Sequence, residues 1–574
     1  MRKTVILFVL CAVFARAGRL SALPAQKILY PGDWAYQALE TLSMEQRLVF
    51  LSGSSLTVIQ AERMLADIDD RDLSPAGQAL YERLRAYLAK PALVSRFSGL
   101  FNFDIAPALQ PELYYKTSED LPWIYGRNQR QPFAAFPLGF SISSYVAMES
   151  DLYFGENRRL SEARDNYFNF PFDKMIDGVQ PIDTNMPKRA YLSIGFPFGQ
   201  GFGLNFKIGL GDEILGRTST GSVIFSDNMR GFSYGTLSFY APFISYTASA
   251  MELEVTKYLY LHHLQLRILK RLSFGLAEGV MVNASFERRY LNPMMIFHSF
   301  SAWESYDDYN ADLANHPEQY TKGESRIGSY LGITADFRPW KYGRFYGLAA
   351  MNQFQIPSER EDEDATVPDG LAFQLGYESW IPLSLRLFNR DCQGHLWFGL
   401  EGVYTYPYMY ILADKGWSYY RESTEVSNGA IREWVGSPFG PDSAAGTIWA
   451  GYQDSSLWSL SLSFLYLAQG PNSDPAIFAR PNREYYSRTR DQMLSRSPTG
   501  TASHTYQLSL KAEWSPLDWL SLSFRPGYRI VSNYARQEGR LEQGLELVLS
   551  ARLVPKLSLG AAARGQGPEG RALE

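Results

Sequence analysis

The sequence predicts an all-β transmembrane barrel, antiparallel and of about 18 strands, preceded by a small α-helical periplasmic domain. Three observations point there: an export leader, period-two apolar patterning over most of the chain, and connections that alternate between tight turns and long polar stretches.

Composition bounds the reading first. The chain has 574 residues, 45% of them hydrophobic and 15% aromatic, yet its mean hydropathy is only −0.23. Apolar side chains that alternate with polar ones give this balance, and no stretch after the leader is long and apolar enough for a membrane helix. The net charge of −5 argues against a nucleic-acid partner.

Met1-Arg2-Lys3 precedes an apolar run from Thr4 to Ala15, with small residues at Ala15, Ala17, Ala22 and Ala25. That order describes a secretory signal peptide, expected over residues 1–25. Cys11 lies inside it, so Cys392 is left as the one thiol of the exported chain and forms no intramolecular disulfide. No zinc site, redox motif or other cofactor is expected.

Residues 26–94 are expected to form the helical domain. Apolar residues recur at helical spacing through Leu39, Leu42, Val58, Leu65, Leu80, Leu84 and Leu88, and Ser74-Pro75 reads as an N-cap followed by proline at the first helical position. A strand-poor unit between leader and barrel is expected in the periplasm.

Residues 95–566 are expected to form the barrel, with 567–574 as a polar tail. Trp458, Leu460, Leu462, Phe464 and Tyr466 alternate with serines, and the same pattern recurs over 506–514, 520–525 and 545–553. Aromatics stand at segment ends, as an interfacial girdle requires. Tight turns are expected at 269–271, 338–340, 515–518 and 554–556, and a last strand at 557–564. Long loops are expected at 282–326, 356–369, 411–446 and 468–504.

On the segment Tyr258–Arg267, alternation places His263, Gln265 and Arg267 on one face, which is the lumen if Tyr258, Tyr260, Leu264 and Leu266 meet lipid. Glu278 on the adjoining strand is a candidate partner for Arg267. The patch suits sugar hydroxyls or uronate carboxylates, but an internal ionic network that props the barrel is the commoner use of such residues. Arg289, Tyr290 and Asn292 begin a loop that could fold into the lumen as a plug and touch a ligand. The loop aromatics Trp303, Tyr306, Tyr309, Tyr320, Trp417, Tyr419, Tyr420, Trp434, Tyr485 and Tyr486 could stack on sugars or simply order the loops. Asp442, in a Gly- and Pro-rich stretch, is read as a turn former, and the acidic run Glu359–Asp364 as a solvated loop tip, since it lacks the spacing of a calcium loop. Nucleophile and metalloprotease motifs are missing, so no catalytic residues and no metal ligands are assigned and the chain is read as a non-enzyme.

Several blocks resemble the Wzi family of outer-membrane capsule-assembly proteins. They are Tyr258–Arg267, Leu272–Gly279, Arg289-Tyr290-Leu291-Asn292-Pro293 leading to Phe297-His298, Leu331–Pro339, and Gly436-Ser437-Pro438-Phe439-Gly440-Pro441-Asp442. His263 and Gln265 stand where the family commonly has Arg and Glu, and the Asp-Asn pair usual before Leu331 is missing. The resemblance implies a many-stranded outer-membrane barrel with periplasmic helices that binds capsular or extracellular polysaccharide at the cell surface, without catalysis or cofactor. Expected partners are surface polysaccharide, outer-membrane lipid and the barrel-assembly machinery, with a monomer as the expected state. A channel for small solutes and an adhesive surface protein are the competing readings.

Overall fold

The computed structural model describes residues 23–555 apart from 52–53, 91, 98, 127–128, 156–165, 171–181, 184–185, 200, 230, 298–326, 357–367, 388–389, 413–415, 426–428, 455–457, 476, 478–493 and 518. The expected leader up to residue 22, the strand at 557–564 and the tail at 567–574 therefore lie outside the described residues.

Among the described residues, eighteen antiparallel strands close into one barrel. The first strand, β1, is built of three pieces, Phe101–Ile105, Ala108–Leu109 and Glu112–Lys116. Next come β2 (Ala134–Ile142), β3 (Val146–Phe154), β4 (Ala190–Phe198), β5 (Phe202–Gly211) and β6 (Phe232–Tyr240). The middle third holds β7 (Ile244–Glu254), β8 (Lys257–Ile268), β9 (Leu272–Asn283), β10 (Ile327–Phe337), β11 (Gly343–Gln353) and β12 (Gly370–Leu387). The last strands are β13 (Arg390–Thr405), β14 (Ser443–Asp454), β15 (Trp458–Gln469), β16 (Ser503–Leu517), β17 (Leu520–Ser532) and β18 (Leu541–Leu553). The ring closes where Glu112–Lys116 and Leu109 of β1 pair with β18, while Phe101–Leu109 pairs with β2.

Alternation explains why these residues make this wall. Phe274 and Leu276, Phe373 and Leu375, Leu460 and Leu462, and Leu545 and Leu549 point outward and are exposed. Their neighbours Ser273, Gln374 and Glu546 point inward and are buried. Such an inside-out distribution is stable only where lipid surrounds the barrel. Connections lie in two classes: short turns at one end, such as 269–271 and 338–342, and long loops at the other, at 117–133, 155–189, 212–231, 284–326, 354–369, 406–442 and 470–502. One expected turn moves. β16 runs through Pro516 to Leu517, because a slip in its ladder between Trp514 and Leu517 accommodates a residue with no N–H, and the turn falls at 518–519. The β7–β8 connection breaks the pattern: at the long-loop end it is only Val255-Thr256.

Among the described residues three α-helices precede the wall: α1 (Trp34–Glu45), α2 (Val58–Ala66) and α3 (Pro75–Leu88). Thr57 and Gln60 form a capping box on α2, and the Ser74 hydroxyl accepts from the Gly77 amide with Pro75 at the first helical position. Leu39, Leu42, Leu65, Leu80, Leu84 and Leu88 make a separate small core. The unit sits on the short-turn end. The Val49 amide donates to Lys270 O (2.8 Å), the Tyr342 amide to Met44 O (3.0 Å), and Arg63 Nη1 to Phe202 O (2.8 Å).

Candidate functional site in the lumen

His263, Gln265 and Arg267 do line the lumen, and His263 and Gln265 are buried there. Arg267 Nη1 reaches Val49 O (3.4 Å), tying the wall to the segment after α1. Glu278 is on the other face. Arg267 pairs across the hairpin with Ser273 and His262 with Glu278, so Glu278 shares the outward parity of Leu264 and Leu266 and is no partner of Arg267. Arg289, Tyr290 and Asn292 are not in the lumen either. Tyr290 packs at a tilt against Tyr260 (5.0 Å between centroids), Tyr246 Oη donates to Pro293 O (2.5 Å), and Phe297 packs on His262 at 4.1 Å. Tyr246, Tyr260 and His262 all have outward parity, so 284–297 folds over the outside of β7–β9. The short β7–β8 turn leaves that space open.

The plug comes from other segments. Leu215, Val223, Ile224, Phe225 and Met229 of the β5–β6 loop pack with Met409, Tyr410, Ile411, Trp417, Tyr419, Tyr420, Trp434 and Val435 of the β13–β14 loop. Lumen-facing Tyr330, Tyr346, Leu348 and Val403 complete this core. The Tyr330 hydroxyl donates to Val223 O (3.0 Å) and Ile224 O (2.7 Å), Tyr410 Oη to Val223 O (2.6 Å), and the Ser226 amide to Val435 O (2.9 Å). Trp417, Tyr419, Tyr420 and Trp434 are thus interior residues that order the loops and offer no face to a glycan. Trp303, Tyr306, Tyr309, Tyr320, Tyr485 and Tyr486, with the acidic run 359–364, lie outside the described residues.

Below this apolar plug runs an internal ionic network of the kind the sequence suggested, built from residues that the sequence reading did not single out. Glu40 of α1 accepts from Arg338 (2.5 Å) and from Arg217 of the inward loop (3.0 Å). Arg217 also pairs with Glu378 (3.2 Å), and Arg344 bridges Glu378 (2.9 Å) and Asp336. Glu401 then receives the Ser219 amide (2.8 Å), the Thr220 amide (3.0 Å) and the Tyr346 hydroxyl (2.5 Å). Beside it, Glu45 meets His395 at 3.0 Å. The helical unit and the long-loop side therefore meet inside the barrel, carboxylate to guanidinium. Each ion is stripped of water, so the fit is stabilising only while every partner is present.

His263 looks into a small gap between the helical unit and β5–β8, about 60 Å³ in volume and lined by hydroxyls, among them Ser55, Thr236, Ser245, Thr247 and Ser249, together with apolar side chains such as Ile28, Leu51 and Leu261. Lys207 there is paired with Glu213 and hydrogen-bonded to Ser55 Oγ (2.9 Å). Space of that size fits a few waters at about 15 Å³ each, not a pyranose ring.

At the long-loop mouth Asp442 is fully buried and ties two connections together, 406–442 and 470–502. It accepts from the amides of Thr499 (2.8 Å) and Asn472 (3.3 Å) and from the Thr499 hydroxyl (2.6 Å). Its φ of +53° shows the turn conformation read from the sequence. No group of metal-binding side chains occurs among the described residues.

No protein-family model matches the chain, and no curated protein matches it. Among solved structures, Wzi of Escherichia coli, an outer-membrane protein involved in group 1 capsule assembly and a carbohydrate-binding β-barrel, superposes with a TM-score of 0.53. The barrel shares its fold with Wzi. The likeness covers 91% of this chain and 98% of Wzi at 12% identity. OprD of Pseudomonas aeruginosa covers 79% of this chain and 94% of its own at 10% identity, with a TM-score of 0.34. The channel DcaP of Acinetobacter baumannii covers 80% and 100% at 8% identity, with a TM-score of 0.32. Of these three superpositions, the one on Wzi passes one half, the level at which a fold is shared.

Proposed function

We propose that this barrel binds a capsular or extracellular polysaccharide at its long-loop end and helps to anchor or assemble it at the cell surface. The observation that carries the reading is the double closure of the lumen, in which Arg217 from one end meets Glu40 from the other. A wall built around a filled interior suits a surface receptor better than a solute channel. The likeness in fold to a carbohydrate-binding barrel supports the same reading. In this orientation the short turns and the helical unit face the periplasm, as outer-membrane barrels generally place their short turns. The role assigned is binding, with no catalytic step.

Single-channel conductance of the refolded, leader-free protein tests it, together with retention of surface polysaccharide from the source cell. Closed bilayers with retained glycan are the expected result. Steady ohmic conductance that glycan does not alter would replace this reading with a channel.

A further inference from the structure

The segment 284–297 has an outward side as well as the one packed on the barrel. Its inner side is anchored by Tyr290 and Phe297, both buried, against Tyr260, Val280 and Val282. The outer side carries Phe286, Leu291, Met294 and Ile296, exposed by 48%, 44%, 86% and 64%. Two arginines stand among them against one acid. Glu287 pairs with Arg289, and Arg288 is exposed. The segment covers the row where His262 and Glu278 interrupt the outward apolar face of β8 and β9, just beyond Leu264 and Leu276. Polar residues on that face mark the edge of the hydrocarbon layer, because a carboxylate facing acyl chains is costly. Apolar side chains mixed with cations at that level have the character of a surface that lies in the headgroup region.

We propose that 284–297 is an interfacial collar that docks on the bilayer and binds phosphate-bearing anionic lipid. Arg288 meets the phosphate, while Phe286, Leu291, Met294 and Ile296 enter the acyl boundary. The collar is continuous with the lipid-facing belt of β7–β9, and its spare cation supplies the complementarity to an anionic headgroup. The proposal needs only that the barrel sits in a bilayer, so it stands or falls apart from glycan binding.

The test uses the full leader-free chain in a Cys392→Ser background, with a fluorescent bimane on Met294→Cys. A second protein carries the label on Val255→Cys, whose parent side chain is 87% exposed at the β7–β8 tip. Both are reconstituted in phosphatidylcholine vesicles doped with brominated phosphatidylcholine or brominated phosphatidylglycerol. The Met294 label is expected to be quenched by bromine and spared by aqueous iodide, and the Val255 label the reverse. Brominated phosphatidylglycerol is expected to quench the Met294 label more than brominated phosphatidylcholine does. Arg288→Glu should reduce that local enrichment at least about five-fold. A Met294 label that iodide reaches as easily as the Val255 label overturns the collar. Equal quenching by the two brominated lipids overturns the phosphate site.

Discussion

Glu40 accepts from Arg338 and Arg217 together, and Arg338 is only 1% exposed. Replacing Glu40 by glutamine keeps the shape and removes the charge, which leaves two buried guanidiniums short of an anion. The expected cost is about 3–5 kcal/mol of stability, read as a lower urea midpoint in vesicle-based unfolding. Asp33, just before α1, responds to pH instead. Its carboxylate accepts from the Tyr30 amide (2.8 Å), and burial raises its pKa above the usual 3.8, with that amide and the Arg189 and Lys27 charges opposing. A raised folded pKa stabilises the fold below the unfolded value, and that contribution is lost as pH rises through the folded value. Asp33→Asn should therefore melt higher than the parent at neutral pH. The gap should close by about pH 3.5, below the unfolded carboxyl value.

At the scale of elements, Asp442 joins the loops that follow β13 and β15. Asp442→Ala leaves the Thr499 and Asn472 amides unpaired, at about 1–3 kcal/mol each. Limited proteolysis should cut 470–502 faster while the strands stay intact. The strands themselves were legible because period-two patterning is strict where one face meets lipid, as in β15–β18. The 18-strand total followed from length divided by strand plus loop. What hid was geometry that depends on counting across a turn. Arg267 pairs with Ser273 after the three-residue turn, and that parity turns Glu278 outward, although it lies close in sequence. The loop tryptophans gave no hint of direction, because an aromatic in a polar loop reads alike whether the loop covers the mouth or enters the lumen. Glu40, Arg217 and Arg338 belong to three distant segments, so their meeting left no local pattern.

For the whole molecule, the two plugs touch each other as well as the wall, and Arg217 and Glu40 are the two halves of that contact, so losing either should widen the path and losing both should add less than the sum. Conductance of Arg217→Ala, Glu40→Ala and the double variant measures this directly. Currents that stay at the parent level in all three would mean that the apolar plug of Val223, Tyr410 and Trp434 seals the lumen alone. The closing seam bears on a different kind of load. β17 and β18 are paired without a break from Leu520 to Ser532, whereas among the described residues β1 meets the β18 ladder only through Glu112–Lys116 and Leu109. In the proposed role, a bound polymer would pass the pull of flow to this wall. Under such tension the wall would part first along this seam, between the first and the last strand of the barrel.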